Sequence, residues 1–425
     1  MIRRALVIAL AVLLLAPAAA AAGEPDPLEP AYDVDLQGAD DGFRWTGRMT
    51  LSVANPDLAP LQRIWIRLWG NGRRGCASRA VRVTVVSGAV AGAEAVRCTA
   101  VPLDLAVPLP TGARAAVTLD VDIRVPGFVD RFGRGGRGLA LLSNALPALA
   151  HREDGRWRLD RFFGSGEAWT YPAADWRVRL SPPAGVQVAA PGVPQGDGTR
   201  LLSRGRDYSW AAGRLRSLRR TVDGVAVTVW APRRGAFSRD LARGMRLVQR
   251  RLPRLARLFG PYGWPDLQVV LTDAAGMEHT AMVMTPPADF VLTHELGHEW
   301  WFALIGDDQA AAPWLDEGFA TWAESAARDR PVRCVGPRLA RLTTRGVNFF
   351  RNRLFEYGAA VYGGGSCLLA RLERRMGRAR FRAALRAYAV GHRYGWSTAE
   401  AFMAAMDGAA GSRPLGDLWR AYRVR

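Results

Sequence analysis

The chain has 425 residues, of which 49% are hydrophobic, so it is long enough to bury at least one large core and to form two or three domains. Its formal net charge is +19, and every basic side chain is arginine because the sequence contains no lysine. The arginines are spread along the chain without a nucleic-acid-binding motif or a basic groove interleaved with aromatic residues, so the charge does not indicate a nucleic-acid partner.

The first 22 residues have the three parts of a secretory signal peptide. Two arginines form the positive start, residues 5–16 are apolar, and a run of alanines provides small residues for cleavage near residue 20. An uncleaved N-terminal anchor is the alternative. No later stretch approaches the roughly 20 apolar residues that span a bilayer. We therefore expect an exported protein, secreted or held at the exterior of the cell envelope, whose basic surface adheres weakly to anionic envelope polymers.

Residues 30 to about 225 alternate apolar and polar side chains in the pattern of β-strands. The clearest segments read YDVDLQ, RIWIRLW, VRVTVV, VTLDVDIRV, WRVRLS and VAVTVW, and turn-forming residues separate them. The pattern predicts an antiparallel β-sandwich or saddle with one packed and one solvated face. We place this N-terminal β domain at residues 23–222.

The pattern changes near residue 236. Residues 238–260 have helical apolar spacing, residues 267–273 form a short apolar strand, and the chain from residue 291 onward is mainly helical. We therefore predict a second, helix-rich domain at residues 223–425 and a multidomain α+β fold.

The mature region contains all four cysteines. Export into an oxidising compartment favours disulfides, and four cysteines allow three pairings. We predict Cys76–Cys98 and Cys334–Cys367, because each pair then stays within one predicted domain. Free buried thiols are the alternative. None of the four has the CxxC spacing of a structural zinc site.

The segment VLTHELGHEWW at 291–301 contains the pattern His-Glu-x-x-His. On an α-helix His294 and His298 project from one face, so both imidazoles can bind a single zinc ion. Glu295 is rotated by about 100° from His294 and can hold a water beside the metal without being a ligand. A surface helix that carries two histidines is the alternative, and a third ligand would decide between them.

The segment PWLDEGFATWAE at 313–324 offers that third ligand. Glu317 and Glu324 share a helical face, and the residues between them are too apolar for a solvated helix. We predict Glu317 as the ligand and Glu324 as an acceptor for the free N–H of a ligand histidine. Asp316 and Glu299 point elsewhere on their helices and compete only weakly as ligands. Two histidines, one glutamate and an open position are typical of a catalytic zinc.

Together these segments resemble the aminopeptidase N-type zinc metallopeptidases, the gluzincins that include leukotriene hydrolase and membrane alanyl aminopeptidase. The resemblance rests on HELGH, followed after 18 residues by the glutamate of WLDEGFA, on AGMEH at 275–279, and on VYGGGSCLLARLERRMG. It covers nearly all of the mature chain and looks closest to a short exported bacterial branch. It implies an N-terminal β-sandwich or saddle followed by a thermolysin-like, helix-rich catalytic domain.

The resemblance further implies that His294, His298 and Glu317 hold one Zn²⁺ and that Glu295 is the general base. Peptides or proteins would be the substrates. The implied activity is that of a secreted zinc aminopeptidase. The alternatives are an endopeptidase or oligopeptidase that needs no free amine, and a non-catalytic binding protein on the same fold.

Other residues gain roles from the same resemblance. Glu278 would bind the free α-amine of the substrate, and Met277 would line the pocket for its first side chain. Tyr362 would donate a hydrogen bond to the tetrahedral oxyanion. Tyr357 is the alternative donor, but Tyr362 has a glycine three residues later, as in the family. His279 replaces the asparagine of the family and could itself contact substrate or metal.

Overall fold

The computed structural model describes residues 26–136, 138–166, 168–235 and 237–424. The predicted signal peptide lies outside these residues. Within the described part of the chain, no helix is both long enough and apolar enough to cross a membrane.

The N-terminal part of the chain is built mainly of strands. Each of the six segments singled out by their alternation lies wholly or largely in a strand, and the last of them, VAVTVW, belongs to the second part of the chain. The seventeen strands of the N-terminal part are β1 (Ala31–Ala39), β2 (Arg44–Ala54), β3 (Leu61–Arg67), β4 (Val81–Ser87), β5 (Ala89–Ala91), β6 (Ala100–Leu109), β7 (Arg114–Arg124), β8 (Phe132–Gly135), β9 (Leu139–Leu142), β10 (Ala148–Leu149), β11 (Arg152–Glu153), β12 (Arg156–Trp157), β13 (Ala174–Ser181), β14 (Gln187–Ala189), β15 (Val193–Pro194), β16 (Arg200–Gly205) and β17 (Trp210–Gly213), with β19 defined below.

The largest sheet has seven strands in the order β15-β16-β13-β1-β2-β7-β4, and two four-stranded sheets have the orders β10-β3-β6-β5 and β14-β17-β9-β8. A two-stranded hairpin, β11-β12, completes the domain. Pairing is antiparallel throughout these sheets except between β1 and β13, which run parallel. The period-two pattern is clear in β7, where Val117, Leu119 and Val121 are buried. Its opposite face pairs Asp122 with Arg44 at 3.1 Å.

The second part of the chain combines a five-stranded sheet with helices. Its strands are β18 (Leu215–Val222), β19 (Val225–Pro232), β20 (Asp266–Leu271), β21 (Met277–His279) and β22 (Met282–Thr285), in the order β18-β19-β20-β22-β21. Its helices are α1 (Leu241–Phe259), α2 (Asp289–His298), α3 (Phe319–Ala327), α4 (Pro337–Ala340), α5 (Val347–Phe350), α6 (Leu354–Tyr357), α7 (Gly365–Met376), α8 (Arg378–Gly391), α9 (Ala399–Ala410) and α10 (Gly416–Tyr422).

Two π-helical turns lie among these helices, Trp314–Gly318 before α3 and Gly358–Gly364 before α7.

The predicted division between residues 222 and 223 falls in the tight connection between β18 and β19, which pair with each other in one sheet. The position of the boundary stays a prediction.

Both predicted disulfides are present. Cys76–Cys98 has a Cα–Cα distance of 5.1 Å, and Cys334–Cys367 has one of 4.9 Å. The first lies in the β domain, and the second joins the loop after α3 to α7. The second bridge therefore ties the loop to the helix that follows one of the π-helical turns.

Candidate active site

Helix α2 carries the His-Glu-x-x-His pattern beneath the sheet. Asp289 lies in its first turn, where a carboxylate favours a helix N-terminus, and it accepts hydrogen bonds from Arg251 at 2.9 and 2.6 Å. Leu292 and Leu296 bury the inner face of the helix. A Cβ on Gly297 would lie 3.3 Å from the Ala320 Cα, so the glycine lets α3 approach α2 closely.

Three donor atoms from two elements converge beside α2. His294 Nε2 lies 3.0 Å from His298 Nε2 and 3.1 Å from Glu317 Oε2, and His298 Nε2 lies 3.4 Å from the same carboxylate oxygen. Glu317 comes from the π-helical turn before α3. Tetrahedral zinc with bonds of about 2.1 Å separates its ligand atoms by about 3.4 Å. The three donors therefore fit a zinc ion, with a fourth position left open.

The second imidazole nitrogen of His298 is fixed by neighbours. His298 Nδ1 lies 2.5 Å from Asp316 Oδ1 and 3.0 Å from the Trp301 carbonyl oxygen. The Gln309 side chain donates to the other Asp316 oxygen at 2.6 Å. A proton on Nδ1 leaves the Nε2 lone pair free for a metal. Asp316 therefore lies outside the donor set, as expected, because its carboxylate contacts the far side of the imidazole.

Glu299, the other weak candidate ligand, also lies away from the donor set. One carboxylate oxygen accepts hydrogen bonds from the Tyr262 hydroxyl and the Ala281 N–H, both at 3.1 Å. Burial raises the pKa of Glu299 well above its ordinary value. This side chain fastens α2 to the sheet.

Glu295 lies beside the three donors rather than among them. Its carboxylate forms a second group with Glu278 and His298, in which one atom from each residue lies within 4.8 Å of the others. Burial raises the pKa of Glu295 to about 7, and the charges of His294 and His298 oppose that rise. Gly276 directly precedes β21. A Cβ at this position would overlap the Glu295 carboxylate, so the absence of a side chain leaves room for that carboxylate.

The π-helical turn before α7 brings Tyr362 to the same place. Its hydroxyl donates to Glu317 Oε1, and its ring stacks on His294 with centroids 5.8 Å apart. Tyr357 is instead buried, with its ring 5.0 Å from that of Phe163. Tyr362, unlike Tyr357, is part of the cavity wall.

Two glycines allow the π-helical turn Trp314–Gly318 to lie close to the start of α7. A Cβ on Gly318 would lie 2.7 Å from the Gly365 Cα, and the reverse distance is the same. Glu317 directly precedes one glycine, and Tyr362 precedes the other by three residues. The close approach at Gly365 therefore helps to bring Tyr362 into contact with Glu317.

These side chains surround a cavity of about 330 Å³. Its described lining consists of Gly276, Glu278, Phe290, Val291, His294, Glu295, His298, Glu317, Thr321, Glu324 and Tyr362. A larger cavity of about 820 Å³ lies beside α1 and the β18–β19 turn, but its described lining contains no histidine, cysteine or glutamate. We place the candidate active site in the smaller cavity, because the metal-binding and acid–base groups converge there.

Two predicted residues have contacts that differ from their expected roles. Glu324 lines the cavity, and its carboxylate is paired with Arg328. Met277 is buried, with its sulfur 3.9 Å from Arg131 Nη1, and the described cavity lining includes both of its neighbours but not Met277 itself. The roles assigned to Glu324 and Met277 stay predictions.

His279 does not reach the cavity. It is almost completely buried, and both ring nitrogens contact side chains of the β domain. The expectation that it could contact substrate or metal is therefore wrong. The sequence also gave no indication that Phe290, Val291 and Thr321 line the cavity, although all three lie on helices α2 and α3 that carry the site.

Comparison with known proteins supports this fold. No protein-family model matches the sequence. The chain is similar in structure to the M1 zinc metallopeptidase from Deinococcus radiodurans, with a TM-score of 0.65 and 20% identity over 95% of this chain and 94% of that one. A variant of a two-domain M1 zinc metallopeptidase bound to L-arginine gives 0.64 and 19%, over 93% and 94% of the two chains. A variant of the Deinococcus radiodurans protein bound to a Tyr-Ser-Ala substrate gives 0.63 and 20%, with the same coverage. The similarity spans both parts of the chain and confirms the predicted fold class.

Proposed function

We propose that the protein is a zinc metallopeptidase of the M1 type, and specifically an aminopeptidase that removes residues from the N-terminus of peptides. The proposal rests on one observation: His294, His298 and Glu317 converge at zinc-ligand separations, with Glu295 and Tyr362 beside the open side. The similar structures include one with a peptide substrate and one with a free amino acid, which supports a peptide substrate here as well.

Each residue has a chemical task in this proposal. His294, His298 and Glu317 would hold one zinc ion, which would supply Lewis acidity at the open side of the site. Glu295 accepts the proton of the attacking water and returns it to the leaving amine. Burial raises the pKa of the Glu295 carboxyl group, and a carboxyl group with a raised pKa can both accept and return a proton. The Tyr362 hydroxyl, at the cavity wall, donates to the developing oxyanion.

The charge of the cavity supports recognition of an amine. Four glutamates and two histidines line it, so carboxylates outnumber imidazoles, although Arg328 pairs with Glu324. Glu278 is buried, and one of its carboxylate oxygens lies within 4.8 Å of a Glu295 oxygen. A carboxylate at this depth would offset the cost of burying the ammonium group of a substrate. A substrate α-ammonium group bound to Glu278 would place the first peptide bond of the substrate next to Glu295. This arrangement favours removal of a single N-terminal residue.

We further propose that the protein acts outside the cytoplasm, as a secreted protein or at the exterior of the cell envelope. The two disulfides support an oxidising compartment. Adhesion to anionic envelope polymers would follow from the net charge of +19.

The test uses one peptide in two forms, free and N-acetylated, with the mature zinc-loaded chain. Mass spectrometry follows the products, and the Glu295→Gln variant is the blank. Stepwise loss of residues from the free peptide alone is the expected result. Internal cleavage of both forms would retain the zinc peptidase but replace the aminopeptidase with an endopeptidase. No cleavage of either form by zinc-loaded protein would favour the non-catalytic binding protein.

A further inference from the structure

Strand β21 carries two adjacent side chains that face opposite ways. Glu278 lines the active-site cavity, whereas His279 is buried against the β domain, as expected for neighbours on a strand. The strand has three residues and lies at the edge of its sheet, and within the described part of the chain it pairs with β22 alone. Backbone pairing alone therefore restrains the position of Glu278 weakly.

The β domain adds a restraint on β21 through His279. Asp207 Oδ2 lies 2.6 Å from His279 Nδ1, and the Ser143 hydroxyl lies 2.8 Å from His279 Nε2. The other Asp207 oxygen accepts the N–H of Thr280 at 2.8 Å, so the backbone after the histidine is fixed as well. The Ser209 hydroxyl donates to Asp207 at 2.9 Å.

The electrostatics agree with a tight contact. Burial by itself would raise the pKa of Asp207, but the charge of His279 and the hydrogen bonds hold it below its ordinary value. A buried carboxylate kept ionised in this way needs its partner, so the loss of His279 would leave an uncompensated charge. The ion pair between His279 and Asp207 therefore attaches β21 to the β domain by a specific polar contact in addition to apolar packing.

Ser143, His279 and Asp207 contact one another in the sequence of a Ser-His-Asp catalytic triad. They do not form a second hydrolytic site. Ser143 is 2% exposed, His279 1% and Asp207 2%, so no substrate carbonyl can reach the serine oxygen. The Ser143 hydroxyl also contacts the Met284 sulfur at 3.5 Å, within the core. The network acts through the strand that it holds.

We propose that His279 is a positioning residue for recognition of the substrate amine. By joining β21 to Asp207 and Ser143 of the β domain, it holds the Glu278 carboxylate beside Glu295. This inference rests on the proposed amine-binding role of Glu278. It predicts that changes at His279 weaken binding of a free amine although the residue touches neither substrate nor metal.

The test is made in the zinc-loaded full chain that carries Glu295→Gln, so that bound peptide is not cleaved. Calorimetry measures the affinity of one tripeptide in its free and N-acetylated forms, and the ratio of the two affinities reports amine recognition. Loss of a hydrogen bond to a charged group changes affinity by about 10- to 100-fold. We expect Glu278→Gln to abolish the preference for the free form and His279→Leu to reduce it by about 10-fold, with zinc content unchanged.

Two further variants separate positioning from stability. Val117→Ala removes buried volume from the seven-stranded sheet, away from β21, and should lower the melting temperature without changing the ratio. Ser143→Ala removes the partner of His279 Nε2, together with the weaker contact to the Met284 sulfur, and should reduce the ratio by a few-fold even if His279→Leu does not fold.

The outcomes distinguish the two levels of the proposal. A parent protein with no preference for the free amine would overturn both the amine site and the role of His279. A parent that prefers the free amine, with the same ratio in His279→Leu and Ser143→Ala, would overturn the role of His279 alone.

Discussion

Gly276→Ala tests how Glu295 is held in place. The added Cβ would overlap the Glu295 carboxylate and would lie 2.8 Å from Val291 Cγ1. The backbone at position 276 is outside the left-handed region, so the substitution strains the chain little and acts mainly on the side chain of Glu295. A general base contributes about 10² to 10⁴-fold to a proton-transfer step, so a displaced Glu295 should lose a large part of that factor.

We therefore expect kcat for a free-amine peptide to fall by about 10²-fold or more, while the zinc content stays at the parent value. The assay is steady-state cleavage with metal analysis of the same preparation. Gly408→Ala in α9 is the matched control, because its added Cβ has no neighbouring atom within 4 Å. Turnover of Gly276→Ala within a few-fold of the parent, at equal zinc content, would refute the assignment of Glu295 as the base held by this glycine.

Three other changes test neighbouring parts of the structure. Asp316→Asn should weaken zinc binding by about 10- to 100-fold in competition with a chelator, because it removes the carboxylate charge that faces His298 Nδ1; unchanged affinity would contradict that role. Tyr362→Phe should lower kcat by about 10²–10³-fold with little change in zinc content, and a loss of zinc instead would indicate a ligand. Replacing Cys334 and Cys367 by serine opens a loop of 33 residues and should lower the free energy of unfolding by about 3–4 kcal/mol in denaturant titrations. An unchanged unfolding midpoint would show that this loop is restrained by other contacts.

Only part of the donor set follows from local spacing. The helix period places His294 and His298, one turn apart on α2, on one face, whereas Glu317 lies on a separate helical segment and meets them through the packing of that segment against α2. Asp316 could not be assigned in the same way. Its turn is π-helical, and Asp316 and Glu317 contact opposite edges of the same imidazole, His298.

The contacts of His279 with the β domain could not be predicted from the sequence. His279 meets Asp207 across 72 residues and Ser143 across 136, and no local pattern connects positions so far apart. Neighbours on a strand face opposite sides, which the expectation that His279 contacts substrate or metal did not take into account. Only the structure shows what His279 contacts instead. The strands of the β domain, in contrast, were predictable because each carries its own period-two pattern.

The central proposal is a single catalytic zinc held by His294, His298 and Glu317. The most direct measurement is a zinc titration of the chelator-stripped mature chain, with cleavage of a free-amine peptide followed at each addition. Activity should rise in proportion to bound zinc and reach a plateau at one ion per chain, and Glu317→Ala should show neither tight binding nor activity. Full activity in the stripped protein, or a plateau that does not change in Glu317→Ala, would contradict the proposal.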